Sequence, residues 1–252
     1  MKLNLVHLYP DLLNLYGDRG NIMCIKKRLE WRGIECEVKE VLHGEYVNTD
    51  EADLIFLGGG SDREQEIVCE ELKKNKKALI DYVENDGAML AICGGYQLLG
   101  NYYQTKDKKI EGLGILDIYT QWEEERLVRN IIVNSDLFET PVVGYENHSG
   151  RTYIGSYKPL GKVFFGLGNT GRGDFEGVVY KNIIGTYIHG PLLPKNPQVC
   201  DYMLLKALRK KYGEDVELEK LDDEIELMAN KCIVDRYSEE KNRVAEAIKR
   251  RI

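Results

Sequence analysis

Gly87-Ala88-Met89-Leu90-Ala91-Ile92-Cys93-Gly94-Gly95-Tyr96-Gln97-Leu98-Leu99-Gly100 is the stretch on which the reading of this chain turns. The run Ala88 to Ile92 has the length and composition of a buried strand, and it stops abruptly at Cys93. Two glycines then remove side-chain bulk, and the pattern predicts a helix from near Tyr96. A cysteine on so sharp a strand-to-helix turn projects from the sheet edge, with the next backbone N–H groups at a helix N-terminus. That arrangement suits nucleophilic catalysis, because the helix end favours a thiolate and its amides can stabilise an oxyanion. The competing reading is a buried cysteine in a tight turn, inert as most core thiols are.

Upstream, Leu3 to Leu8 alternates as a first strand and Ile34 to Val41 as a second. Between them, Ile22, Ile25 and Leu29 predict a helix that Gly33 ends. The turn-rich Tyr16-Gly17-Asp18-Arg19-Gly20-Asn21 reads as helix initiation or as a phosphate loop, but its two glycines lack the dinucleotide fingerprint. Asp53 to Leu57 is a third strand running directly into Gly58-Gly59-Gly60-Ser61-Asp62. Three consecutive glycines let the backbone approach a ligand and aim its N–H groups at it; a flexible connector is the alternative. Asp62 is expected to cap a helix from Arg63 to Lys74 with Val68 and Leu72 inward, and a further helix from Ala78 to Glu84 closes at Gly87. Strand, helix, strand, strand, helix, helix, strand, helix implies an α/β fold: an open, mostly parallel central sheet with flanking helices.

From Gly112 the chain turns β-rich. Leu113 to Tyr119, Leu127 to Val133, Pro141 to Tyr145, Val163 to Phe165, Gly177 to Tyr180 and Ile183 to Tyr187 read as short strands, antiparallel and flanking or extending the sheet. Asn169 to Asp174 reads as a turn or mobile loop. The C-terminal part, about 199–252, is expected to be helical and to pack on a single domain spanning 1–252. Val199 to Tyr212 forms one helix there; a longer one carries Leu221, Ile225, Met228, Cys232, Tyr237, Val244 and Ile248 along a core-facing side.

Composition narrows the function. A net charge of -7, with no Lys/Arg block interleaved with aromatics, argues against nucleic-acid binding. The run Lys249-Arg250-Arg251 reads as favourable charge at a helix end. No apolar stretch is long enough to span a bilayer, and the first residues do not form a signal peptide. Six cysteines without Cys-x-x-Cys spacing argue against a zinc site and fit a reduced, cytoplasmic setting.

A cysteine nucleophile needs a base, and the chain holds four histidines. His7 falls inside the first strand and His43 beside a loop glycine, so both have structural readings. His148, in Gly144-Tyr145-Glu146-Asn147-His148-Ser149-Gly150, reads as a supporting residue in a polar turn on a peripheral strand. His189, in Tyr187-Ile188-His189-Gly190-Pro191, sits at a strand end before a structure breaker, as Cys93 does. In parallel strands of one sheet, both side chains emerge at the same edge.

These motifs in this order resemble class I glutamine amidotransferases of the cobyric acid synthase (CobB/CobQ) type. Three further stretches, His7 to Asn21, Gly58 to Gln65 and His189 to Asn196, are similar to the glutaminase subunits of lipid II isoglutaminyl synthase. The resemblance covers nearly the whole chain and implies that L-glutamine is the substrate. It matches Cys93 to the nucleophile and His189 to its base. Gly60 and Gly94 match the oxyanion hole, while Gly59, Gln97 and Arg126 match the substrate pocket, Arg126 holding the α-carboxylate. Read without the resemblance, Arg126 is an exposed charge beside Glu123, Glu124 and Glu125.

Two departures stand out. Pro191 occupies the position where many class I enzymes carry the glutamate of a third catalytic role, leaving Glu146 and Asp18 as guesses. Ala91 replaces a motif glycine. The resemblance further implies a heterodimer with a MurT-like Mur ligase subunit. That partner would bind ATP and Mg and present lipid II, whose D-glutamate is amidated with ammonia from this chain, which itself would hold no cofactor or metal. An amidotransferase serving a cobyrinate-type synthetase, or a non-catalytic binding subunit with a vestigial site, are the other readings.

Overall fold

The computed structural model describes the backbone of residues 1–15 and 18–249, and side chains as far as residue 239. The expected cationic end Lys249-Arg250-Arg251, the apolar positions Val244 and Ile248, and the Tyr16-Gly17 part of the first turn lie outside the described residues.

In the first hundred residues, β1 (Lys2–Leu8), α1 (Arg19–Glu30), β2 (Glu35–Val41), β3 (Leu54–Leu57), α2 (Asp62–Lys74), α3 (Lys76–Glu84), β4 (Ala88–Ile92) and α4 (Gly94–Leu98) follow in the predicted order. Every residue of β3 and β4 is buried. Strands covered on both faces are uninterrupted apolar runs, and both lie inside the sheet. At the edge, β2 keeps an alternating, half-polar pattern because only one of its faces packs.

The remaining elements are β5 (Tyr102–Gln104), β6 (Lys109–Glu111), β7 (Tyr119–Asn134), β8 (Val142–Tyr153), β9 (Gly161–Phe165), β10 (Phe175–Glu176), β11 (Val178–Tyr180), β12 (Ile183–Thr186), α5 (Leu192–Lys195), α6 (Pro197–Tyr212) and α7 (Glu224–Lys249). The main sheet runs β11-β12-β4-β3-β1-β2, parallel throughout except at β11. A second sheet, β10-β9-β7-β5-β6, carries β8 paired to β7. The architecture is the expected α/β one with a mostly parallel central sheet. The late strand β12 returns to that sheet and lies parallel beside β4, bringing the segment before His189 next to the Cys93 turn.

Several local expectations are corrected. Ser61, not Asp62, caps α2: its backbone N–H donates to Glu64 in a reciprocal capping box, and Asp62 is the first helical residue. The short antiparallel runs are in fact dominated by one long hairpin, β7 with β8, whose charged middle hides a strand exposed to solvent. Of Leu113 to Tyr119 only Tyr119 is in a strand, and β5 and β6 had no counterpart in the reading. At the end of α3 the left-handed residue is Asp86 (φ +60°) rather than Gly87.

The C-terminal helix differs most. Ile225, Met228 and Cys232 are exposed, so that part of the expected apolar side of α7 does not pack, whereas Tyr237 lies against Phe165 with ring centroids 4.4 Å apart. The helix is also fastened by polar groups: Asn230 donates to the carbonyls of Pro141 and Lys195, and Tyr237 accepts from Asn130. Ahead of it, Asp223 and Asp201 both bind the buried Arg28 guanidinium of α1, at 2.5–2.9 Å. Among the described residues, no helix is long and apolar enough to cross a membrane.

Candidate active site

Cys93 follows β4 and caps α4 with φ +50° and ψ −104°, a conformation an L-residue holds only under compulsion. Such a residue stores about 1–3 kcal/mol, which the surrounding packing must offset. The compulsion is visible on both sides. The Cys93 N–H donates to Thr186 O at 2.8 Å, and the Gly95 N–H to Gly58 O at 3.0 Å, so β12 and the glycine loop hold the turn between them. The turn leaves the Gly94 N–H pointing at the Cys93 sulfur.

Glycine keeps both sides of that residue close-packed. A Cβ at Gly59 would lie 3.1 Å from the Cys93 Cβ, and one at Gly94 would lie 2.0 Å from Gln65 Nε2. The Gly58-Gly59-Gly60 loop is braced from behind by Asp18, whose Oδ2 accepts the Gly59 N–H at 2.9 Å. Leu15 N–H donates to Gly59 O at 3.1 Å. With the Gly59 amide committed to Asp18, Gly60 is the residue of the loop that lines the cavity with Cys93. Asp18 is fully buried, and burial pushes its carboxyl up to about 7 against the opposing pull of the Gly59 N–H.

A cavity of about 140 Å³ opens at this edge of the main sheet, its wall including Gly60, Gln65, Cys93, Gln97, Arg126 and His148. Four sequence-predicted residues therefore share one cavity, and Gly59 and Gly94 flank its sulfur. Arg126 sits at the exposed mouth; Asn147 accepts its Nε–H at 2.5 Å and so aims the guanidinium. Gln97 is buried and donates to the Tyr187 hydroxyl at 3.0 Å.

His189 lies three residues beyond β12 and is not part of the cavity wall. It is fully buried, and its backbone is clamped to Tyr145 in both directions, N to O at 2.8 Å and O to N at 3.2 Å. Burial first, then repulsion between protonated His189 and His148 and Arg126, pulls its imidazole down to about 3. The ring is therefore neutral at physiological pH. Burial and the Asp18 charge push the Cys93 thiol up to about 12, against the lowering effects of Gly94 N–H and Arg126. At rest the Cys93 thiol and the His189 imidazole are thus both neutral. Arg126 acts on both.

His148 is not in a turn but inside β8, almost completely buried. Its ring stacks on Tyr187 at 3.6 Å and 4°, its Nδ1 contacts Gly150 O at 2.7 Å, and its Nε2 lies 3.9 Å from Glu146. Glu146 is oriented by the N–H groups of Leu167 and Gly168, each at 2.8 Å. Sequence reasoning gave no role to Gln65, Asn147 or Tyr187, all of which shape the site. The sequence signals for Gln65 were its place at the end of the Gly58 to Gln65 stretch and one turn into the helix that follows the glycine loop.

Residues 4–197 match the model of the CobB/CobQ-like glutamine amidotransferase domain. The chain is 45% identical to lipid II isoglutaminyl synthase (glutamine-hydrolyzing) subunit GatD of Staphylococcus aureus (strain N315), over 95% of this chain and 98% of that one. It is 40% identical to the subunit of the same name from Streptococcus pneumoniae (strain ATCC BAA-255 / R6), over 96% and 93%. Among solved structures, a crystal structure of a glutamine amidotransferase aligns with TM-score 0.51 at 16% identity, covering 80% of this chain and 98% of that one, a likeness of fold.

Proposed function

The chain belongs to the CobB/CobQ-like glutamine amidotransferase family, and from that premise we propose that it is the glutaminase subunit of a lipid II isoglutaminyl synthase. The observation that carries the reading is the strained turn at Cys93, with the Gly94 N–H on its sulfur and the Gly59 backbone against its Cβ.

In this reading Arg126 holds the α-carboxylate of L-glutamine and sets the δ-carboxamide over Cys93. His189 takes the thiol proton as sulfur attacks the carboxamide carbon, and Gly60 and Gly94 N–H groups receive the developing oxyanion. Collapse breaks the C–N bond; His189 returns its proton to the leaving nitrogen and ammonia departs, leaving a glutamyl thioester. Water then attacks the thioester, giving up a proton to His189. Collapse releases glutamate and restores the thiol. Because the free thiol is strongly disfavoured as a thiolate, proton transfer and carbon–sulfur bond formation are driven by oxyanion stabilisation rather than by a resting ion pair.

The ammonia is consumed by a MurT-like Mur ligase partner in the cytoplasm. That partner holds ATP and Mg and activates the D-glutamate carboxyl of lipid II. Ammonia is largely protonated in neutral water and loses its nucleophilicity, so the two subunits must enclose its path. Copurification with a Mur-ligase-like chain, followed by glutamine-dependent amidation of lipid II, tests the whole reading. Glutamine hydrolysis that no such ligase can use for lipid II would instead support service to another synthetase.

A further inference from the structure

We infer that Gln65 is a specificity-determining residue of this site, its side-chain oxygen accepting a hydrogen bond from the α-ammonium of L-glutamine; this rests on the glutaminase reading above. Gln65 lies in the first turn of α2 and is 2% exposed. Its Nε2 donates to Gln97 Oε1 at 3.2 Å, and Gln97 in turn donates to Tyr187, so a ladder of three polar side chains orients both amides. That ladder leaves the Gln65 Oε1 buried with no partner. A buried acceptor left unmade is costly, and its retention in a reactive cavity points to a donor arriving with the ligand.

The other polar groups of the cavity say which donor. Arg126 supplies N–H groups suited to a carboxylate, and Gly60 and Gly94 supply N–H groups suited to a carbonyl oxygen. An ammonium requires an acceptor, and Gln65 offers a buried one there. Asp62 also lines the cavity, but at its exposed mouth, where water and salt weaken a charge contact. The absence of a side chain at Gly94 is what lets Gln65 reach over the turn, since a Cβ there would overlap Nε2. Carboxylate, ammonium and carboxamide are then held at three points, which also fixes the L configuration.

Steady-state ammonia release, with the partner subunit present, is measured for L-glutamine and for glutaramate, the analogue without the α-amino group. The wild type is expected to favour L-glutamine in kcat/KM by about 10- to 100-fold, the worth of a hydrogen bond to a charged group. Gln65→Met removes the acceptor at equal length and should abolish most of that preference through KM, leaving glutaramate within about threefold. Gln65→Glu keeps an acceptor and should keep the preference. A wild-type preference near one overturns the inference without any variant. So does an equal loss for both substrates in Gln65→Met, or a preference that collapses in Asp62→Asn and survives in Gln65→Met. A wild type releasing no ammonia from L-glutamine removes the glutaminase reading itself.

Discussion

At the scale of single residues, Cys93 rests as a neutral thiol and His189 as a neutral imidazole. With burial and Asp18 pushing the Cys93 thiol up to about 12, the free protein should show no thiolate absorbance at 240 nm from Cys93 up to pH 9. The check is the difference spectrum between wild type and Cys93→Ala. A Cys93 ionising below pH 8 would mean a resting thiolate–imidazolium pair and a different activation. Cys93 was legible in the sequence because strand, cysteine and glycines are contiguous. Asn147 and Tyr187 were not, since each acts on a group distant in the chain: Asn147 on Arg126, and Tyr187 on Gln97 and His148.

At the scale of elements, the site is a meeting of two strand ends and one glycine loop. Gly59→Ala places a Cβ 3.1 Å from the Cys93 Cβ, so either the loop or the turn must shift by a few tenths of an ångström. Overpacking of this kind costs about 1–3 kcal/mol, and here it falls on the oxyanion donors. The expected outcome is a loss of about tenfold or more in kcat with KM nearly unchanged and the circular dichroism spectrum retained. Unaltered kcat would show that the loop does not position the reacting atoms. The inner parallel strands β3 and β4 were legible because burial on both faces leaves them uninterrupted in hydrophobicity, and β1 and β2 because their residues alternate. The first half of β7 was not, because Gln121 to Arg126 is mostly exposed and the register shifts between Trp122 and Leu127; only Leu127 to Val133 was read. With that half missed, β8 was cut short and His148 was assigned to a turn.

At the scale of the whole molecule, buried carboxyls couple stability to pH. Glu176 is fully buried: Oε1 accepts from the Thr186 hydroxyl and the Tyr187 N–H, Oε2 has no partner, and burial pushes its pKa up to about 8. Folded Glu176 keeps its proton between its ordinary value and about 8 while the unfolded chain loses it, so the native state binds more protons there. Its contribution is full below about pH 4.5 and is lost as pH rises toward 8. Glu176→Gln should therefore become more stable than wild type over that window, by up to about 4 kcal/mol at pH 8. Urea unfolding at several pH values checks this, and a pH-independent difference would contradict it. Arg28, buried between Asp201 and Asp223, ties α1 to α6 and to the segment before α7 across 173 and 195 residues of chain. Arg28→Ala strands Asp223, while Asp201 keeps Arg32, and should cost about 3 kcal/mol in the same titration. No local pattern announced that tie. The α6 and α7 helices could be read from periodicity and charge, but not what fastens them.

The claim that everything else depends on is covalent attachment of substrate to Cys93. The wild-type protein, with its partner, is mixed with L-glutamine, quenched in acid during turnover, digested and examined by mass spectrometry. The account predicts one glutamyl group on the peptide carrying Cys93, and neither adduct nor ammonia from Cys93→Ala. Ammonia release by Cys93→Ala within tenfold of wild type, or turnover with the adduct on another cysteine, would contradict it.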